Sequence, residues 1–519
     1  MENIKILWAD DEIDLLKPQL LFLKKKGYEV VTVTNGHDAL EEFEENNDID
    51  VVFLDESMPG LTGLETLEQL KAKDPLVPIV MITKNEAEDV MEEAIGSQIS
   101  DYLIKPVNPN QILLTLKRLI DNKRLVREKT SMNYQQEFRQ ISMQINSGLD
   151  YEEWVDIYKD IINWELRIDK SKSVGMADIL SMQKSEANAE FSRYVVKNYL
   201  DWVQGNQAAP VMSNTLMRSK ILPKVSEDRP TVMVLMDNLR FDQWKILEPI
   251  ISELYRVDEE DYFYSILPTS TQYSRNAIFA GLMPSEIQDY YPEWWKNDNE
   301  KGGKNMHEHD LLAAQIDRLV RRKTFSFDYV KVTNVANAKN MLDNILNYLN
   351  NDLTVIVYNF IDMLSHARTE MEVLKELAGD ETAYRSLTRS WFENSPLWQA
   401  LQKTAERGAQ LIITTDHGTI RVNTPSKVVG DRETTTNLRY KVGRNLQYER
   451  RDVLEVRKPE KALLPRPNVS STFIFAKEDK FFLYPNNYNH YNNYYKNTFQ
   501  HGGISLEEVI CPIVRLSPK

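Results

Sequence analysis

Pro230-Thr231-Val232-Met233-Val234-Leu235-Met236-Asp237 is an apolar, partly β-branched run closed by an acid. It is too short and too uniformly apolar for an amphipathic helix, so it reads as a strand buried on both faces of a sheet. The pattern returns at Leu353–Phe360 ahead of Asp362 and at Ala409–Thr415 ahead of Asp416. Three strands that each deliver an aspartate just past their end predict three carboxylates in the crevice outside one parallel sheet. The domain built on them is expected over 209–519.

A second α/β pattern fills 1–122, with strands expected at 4–9, 29–33, 50–54, 78–82 and 101–104 and helical patterns between them. Such βα alternation predicts a parallel sheet wrapped by helices on both faces. Asp55 follows the apolar strand Val51-Val52-Phe53-Leu54, where it can act as a nucleophile toward phosphorus. Asp10 and Asp11 follow the first strand and can hold magnesium beside it. Lys105 supplies a point charge for a phosphoryl group, and Pro106 after it suggests a cis peptide that aims the lysine. Thr83 can donate a hydroxyl to a phosphoryl oxygen, and Tyr102 is a candidate aromatic reporter of the site.

Between the two regions, 123–208 holds no proline and is expected to form a helical bundle, with segments near 111–146, 151–166 and 174–204. Gly148 and the stretch 170–175 are the expected breaks. Ile112, Leu113, Leu116, Leu119 and Ile120 share one helix face, and nothing stops that helix before Ile145. The bundle is expected to connect the domains and to offer a dimer surface.

Of the 519 residues 42% are hydrophobic and 27% charged, as in soluble globular chains. A formal charge of −15 argues against a general nucleic-acid-binding surface, and no basic recognition helix follows the first domain. The one cysteine, Cys511, excludes an internal disulfide framework. No apolar run approaches the ~20 residues of a membrane span. A cytoplasmic protein is expected.

Six potential ligands lie in the C-terminal region: Asp237, Asp362, His366, Asp416, His417 and His501. Mixed carboxylates and imidazoles suit zinc, with manganese as the alternative. Two cations ~4 Å apart can neutralise the attacking and leaving oxygens of a phosphate ester, so two zinc ions are expected. Asp362 and His366 lie one helical turn apart; the adjacent Asp416 and His417 both reach a metal only through an irregular turn, which Gly418 permits. Thr271, after the apolar stretch Phe263–Leu267, is a candidate nucleophile and ligand.

The order Asp10-Asp11, Asp55, Thr83 and Lys105-Pro106 resembles the receiver domain of two-component response regulators, with its flavodoxin-like fold. That resemblance implies Asp55 as the phosphoacceptor, the Ser57 carbonyl as a further magnesium ligand, and a sensor histidine kinase as partner. Pro268-Thr269-Ser270-Thr271, with the later acids and histidines, resembles the alkaline phosphatase superfamily. Asp237-Asn238-Leu239-Arg240-Phe241-Asp242 and His501-Gly502-Gly503-Ile504-Ser505-Leu506-Glu507-Glu508 look like its PglZ branch. The superfamily pattern implies one metal site from Asp237, Thr271, Asp416 and His417 and another from Asp362, His366 and His501, with Thr271 facing substrate. Diesterase members often carry asparagine three residues after the nucleophile. Ser274 stands there, so oxyanion stabilisation is expected from backbone amides, Asn276 or Arg275.

Receiver, helical linker and alkaline-phosphatase-like α/β domain together resemble the PorX-type response regulators of Bacteroidetes. This implies phosphorylation-dependent homodimers and control of type IX secretion; a sigma factor or a secretion-system component is the further partner expected. The leading expectation is a metal-dependent phosphodiesterase or phosphatase acting on nucleotide or oligonucleotide phosphoesters. The competing expectation is a non-enzymatic adaptor that binds a transcription factor and carries a structural zinc site. Two softer signals bear on the substrate. Residues 421–451 hold eight Lys/Arg against three Asp/Glu, either a site overhang or a solvated insertion. The Tyr/Asn tract 484–495 is expected to be a packed surface loop, with base stacking as the alternative. His37 is expected on a helix surface, and His307-x-His309 is expected not to ligate.

Overall fold

The computed structural model describes residues 4–519 save 47, 75–76, 85–98, 172–173, 227, 321–324 and 371–378, with backbone only at 121–132, 171, 174 and 367–370. It divides into two compact units, Met1–Gln136 with Lys170–Ser173, and Glu137–Asp169 with Val174–Lys519. The linker helices, expected as a bundle of their own, thus belong largely to the second unit.

In the first unit β1 (Lys5–Ala9), β2 (Glu29–Val33), β3 (Ile49–Asp55), β4 (Ile79–Thr83) and β5 (Asp101–Ile104) form a parallel sheet of order β2-β1-β3-β4-β5. Helices α1 (Lys17–Lys25), α2 (Gly36–Glu45) and α3 (Gly63–Lys73) are set by local signals. Asn35 caps α2 by accepting from Asp38 N at 2.9 Å, and Thr62 with Glu65 forms a capping box on α3. Alternate strand residues feed two separate cores, Leu7, Val52 and Leu54 on one face, Ile6, Trp8, Val51 and Phe53 on the other. This is the doubly wound arrangement whose strand ends carry the chemistry. The helix expected between β4 and β5 falls at 85–98, outside the described residues.

Helix α4 runs from Pro109 to Ile145, followed by α5 (Tyr151–Ser171) and α6 (Val174–Gln204). Gly148 separates α4 from α5 at φ 84°, and the expected break at 170–175 falls partly on 172–173, outside the described residues. Among the described residues no helix is long and apolar enough to cross a membrane.

In the second unit β6 (Thr231–Met236), β7 (Tyr255–Tyr264), β8 (Phe327–Val332), β9 (Leu353–Tyr358), β10 (Gln410–Thr414) and β11 (Ile510–Pro518) form one sheet of order β7-β11-β10-β6-β9-β8. β10, β6, β9 and β8 run parallel, and β11 runs against both its neighbours. The three strands that carry the aspartates are direct neighbours, so their C-terminal ends open on one crevice.

Candidate metal centre

Asp237 leaves β6 with its N–H donating to Tyr358 O at 2.9 Å, the last residue of the neighbouring β9. Asp362 lies in the first turn of the helix Phe360–Glu370, with His366 one turn on and 3.5 Å away. Thr271 is the first residue of the helix Thr271–Ala280, whose N-terminal dipole favours an anion. Its Oγ1 lies 3.2 Å from His417 Nε2 and 3.4 Å from Asp237 Oδ1. Two sets of ligand atoms each lie within 4.8 Å of one another: Asp237, Asp416 and His417, and Asp362, His366 and His501. All seven residues expected at the metal centre therefore converge there.

The histidine orientations test whether these residues suit a cation. His417 Nδ1 lies 3.1 Å from Gly418 O, and His501 Nδ1 lies 3.1 Å from Thr269 O. A carbonyl only accepts, so each Nδ1 carries a proton, and in a neutral ring Nε2 then presents a lone pair. His417 Nε2 faces Asp237 Oδ1 and Asp416 Oδ2, each at 3.8 Å, and His501 Nε2 faces Asp362 Oδ1 at 3.6 Å. Burial, then the neighbouring His417 and His366, hold the His501 pKa well below its usual value, so that ring stays neutral. A bare nitrogen aimed at a carboxylate, as His501 Nε2 is at Asp362, repels it unless a cation lies between them. The donor set fits divalent metal, with Asp237, Thr271, Asp416 and His417 around one position and Asp362, His366 and His501 around the other.

Arg275 was an expected oxyanion donor, and the structure corrects this. Its guanidinium is fully buried and engages Asp237, reaches Asp416 Oδ2 at 3.0 Å and Glu308 Oε1 at 3.6 Å, and donates to Asn359 Oδ1 at 3.3 Å. Asn276 is likewise spent, donating to Gln272 O at 2.8 Å and Lys304 O at 3.2 Å. Of the three expected donors, the backbone amides at the head of Thr271–Ala280 remain. Arg275 instead orients two ligand carboxylates from one side, leaving Asp237 Oδ1 toward His417 Nε2 and sharing Asp416 Oδ2 with it. Burial, opposed by Arg275, pushes Asp237 well above the usual carboxylate range, and Asp416 and Asp362 add to it. Asp416 goes the other way: burial raises it, but Arg275 and His417 outweigh that and hold it low. The opposite directions describe two acids that share one guanidinium.

Asn238 was not anticipated either. At φ 68° its N–H donates to Asp416 Oδ1 at 3.4 Å while its Nδ2 donates to Asp362 Oδ1 at 3.4 Å, so it spans both ligand sets. Asparagine tolerates this left-handed backbone better than most residues, the one signal available in the sequence. A further acid cluster, Glu165, Asp242 and Glu381, is neutralised by Arg240, Arg385 and Lys184 and is structural.

In the receiver unit Asp10 follows β1 and Asp55 closes β3, its neighbour. Lys105 Nζ lies 3.0 Å from both Asp10 Oδ2 and Asp55 Oδ2. Burial raises the Asp55 pKa against the Lys105 hydrogen bond, and the charges of Asp10 and Asp11 add to the rise. Asp10, Asp11 and Asp55 place ligand atoms within 4.8 Å, a donor set suited to magnesium. Thr83 Oγ1 donates to Glu56, and the Lys105–Pro106 bond is cis. Tyr102 is 41% exposed, placed where it can report on its surroundings.

The softer signals resolve differently. Arg439 is buried against Glu508 at 2.6 Å, and Arg444 pairs with Asp431 at 3.1 Å, so part of the basic stretch is structural. Lys441 is buried, donates to Thr435 O at 2.8 Å and sits 4.9 Å from the Tyr484 ring. Burial lowers its pKa to about 7. The Tyr/Asn tract is not a loop: Tyr488–Tyr495 is a helix, with Tyr488 and Tyr495 packed on Ile420, Val422, Phe481 and Leu483. His37 is exposed on α2, and His307 and His309 contact Asp310.

Comparison with known proteins agrees with this layout. Residues 6–117 match the response regulator receiver domain, 124–203 the PorX response regulator linker domain, and 216–516 the BREX system PglZ alkaline phosphatase-like domain. The transcriptional regulatory protein ZraR of Klebsiella oxytoca is 35% identical over 124 residues, 24% of this chain and 28% of that protein. The alkaline phosphatase synthesis transcriptional regulatory protein PhoP of Bacillus subtilis is 29% identical over 132 residues, 25% of this chain and 54% of that one. This chain thus spans between a quarter and a half or so of the curated relatives it matches. A solved receiver domain protein from Clostridium thermocellum is 32% identical, covering 24% of this chain and 98% of its own, with a TM-score of 0.23. With more than half its length matched by the last of the three domains, the chain belongs to the PglZ alkaline phosphatase-like family, in the receiver, linker and PglZ order of a PorX-type response regulator.

Proposed function

We propose that this response regulator is a metal-dependent phosphoesterase, with phosphodiesters of nucleotides as its substrate class. The observation that carries the proposal is the convergence of His417 Nε2 and His501 Nε2, each ring held through Nδ1 by a backbone carbonyl, on the carboxylates of Asp237, Asp416 and Asp362 beside the Thr271 hydroxyl. Asp237, Asp416 and His417 would hold one zinc ion and Asp362, His366 and His501 a second, which together would supply charge to offset the attacking and leaving oxygens of a phosphate ester. Thr271 Oγ1 gives its proton to water and attacks phosphorus; the ester P–O bond breaks and the leaving oxygen takes a proton from water. Water then cleaves the threonine–phosphate bond and restores the hydroxyl. The N-terminal dipole of Thr271–Ala280 favours the phosphate throughout.

The receiver site supports phosphorylation of Asp55 by a sensor histidine kinase with magnesium held by Asp10 and Asp11, and self-association as the response. Resemblance to PorX-type regulators supports a role in type IX secretion. Metal analysis of the purified protein, combined with hydrolysis of a chromogenic phosphodiester, tests the enzymatic part. About two zinc ions per chain with turnover is the expected result. Zinc without turnover of any phosphoester hands the lead to the adaptor.

A further inference from the structure

The segment 501–508, a loop that runs into the one-turn helix Leu506–Val509, is joined to both ligand sets. It carries His501, and Glu508 Oε1 accepts from Gly503 N at 2.9 Å. Gly418, next to Asp416-His417, lies where a Cβ would collide with the Glu507 carbonyl, and its N–H donates to Glu508 O at 3.3 Å. A shift of this loop therefore moves His501 and presses on the His417 turn together.

The loop is held from outside the catalytic sheet, by the linker helix α6. Leu506 N donates to Asn188 Oδ1 at 2.8 Å, and Asn188 Nδ2 donates to Glu507 Oε2 at 3.1 Å. Ser192 Oγ donates to Ile504 O at 3.2 Å, and Lys184 pairs with Glu507 at 3.2 Å. Farther along α6, Tyr199 Oη accepts from Leu267 N at 2.7 Å, two residues before the Thr269 carbonyl that orients His501. Lys184, Asn188, Ser192 and Tyr199 recur at helical spacing on one face. Asn188, Ser192 and Tyr199 are all at least nine-tenths buried. Besides docking through buried Leu180, Phe191 and Val195, α6 donates to and accepts from the backbone of a ligand-bearing loop, within the narrow distance tolerance of hydrogen bonds.

We infer that α6 is a positioning element of the metal centre: Asn188 fixes the loop that sets His501, so the placement of the linker helix tunes how tightly the centre holds zinc. The inference rests on the metal-centre reading and adds a route by which the linker acts on it.

The full chain tests it by zinc titration in competition with a chromogenic chelator, alongside thermal unfolding. Asn188→Ala is expected to keep the wild-type circular dichroism and bind zinc about tenfold more weakly, at the low end for loss of an outer-shell partner. Gln183→Ala is the control, because that amide bonds Phe138 O and Ser142 Oγ within the linker. It is expected to lower the unfolding temperature and leave zinc affinity unchanged. Equal affinity in wild type and Asn188→Ala overturns the inference, as does an equal loss in both variants. If Asn188→Ala does not fold, Ser192→Ala takes its place, with weaker zinc binding expected and unchanged binding decisive against. A wild type that binds no zinc removes the metal-centre reading itself, a result distinct from all of these.

Discussion

The imidazole rings of His417 and His501 stack, their centroids 4.3 Å apart and their planes 17° from parallel. One ring belongs to each ligand set, so the two sets share a wall and cannot be displaced independently. Both rings are oriented through Nδ1 by backbone carbonyls.

Thr271 and Asp362 should therefore fail in different ways. Thr271→Ala removes a hydroxyl and leaves three donors at its position; it is expected to retain zinc and fold while losing diester hydrolysis by at least about a hundredfold. Asp362→Ala or His366→Ala is expected to lose zinc and activity together. Wild-type hydrolysis by Thr271→Ala would reject the nucleophile.

Arg275→Met should be among the most damaging single changes. It leaves Asp237, Asp416 and Glu308 buried without their common counter-charge, and breaking a buried pair from one side costs about 3–5 kcal/mol. Lysine offers a point charge in place of a fork and should not rescue it. A thermal unfolding midpoint equal to wild type would show that Arg275 is not needed to hold the acids.

Phosphorylation should occur on Asp55 alone. A small phosphodonor with magnesium is expected to add one phosphoryl group, read by intact-mass measurement, and to shift the protein from monomer to dimer by light scattering. Asp55→Ala should show neither. Labelling of that variant would displace the assignment, and a mass unchanged by phosphorylation would reject control through self-association.

Lys441 offers a test by pH. Its folded pKa lies near 7 and the unfolded value near 10.4, so between these the unfolded chain holds a proton the folded chain has released. Stability should then rise with pH across that window, and the cost of burying the ammonium is fully present below pH ~7. Lys441→Met is expected to stabilise by at most roughly 4–5 kcal/mol at pH ~6 and by little near pH ~10. Equal unfolding temperatures for wild type and variant at the acid end would refute the assignment of a strained ammonium.

Much of the centre was legible because strand-then-acid is a local pattern: Asp237, Asp362 and Asp416 each follow an apolar run, and adjacency of β10, β6 and β9 does the rest. Arg275 was misjudged because its partners sit 38 residues before and 141 after it in the chain; only the sheet brings Asp237 and Asp416 to one guanidinium. The Tyr/Asn tract forms a helix because Tyr488 and Tyr495, two turns apart, find an apolar bed that no local propensity announces. The polar stripe Lys184-Asn188-Ser192 carries no local signal of its partners, because the 501–508 loop it is buried against lies more than 300 residues away in the chain.

β11, at Ile510–Pro518, lies between β7 and β10 although almost 100 residues separate it from the latter. On the ribosome, the sheet stays split until these late residues emerge, at ~5–20 residues per second. Asp237, Asp362 and Asp416 are by then already made, waiting for His501 and for the strand behind it. A nascent chain stalled before about residue 510 exposes two unpaired strand edges, at β7 and β10, and such edges invite aggregation. Premature termination in this stretch should thus yield insoluble, metal-poor product, not a partly active enzyme.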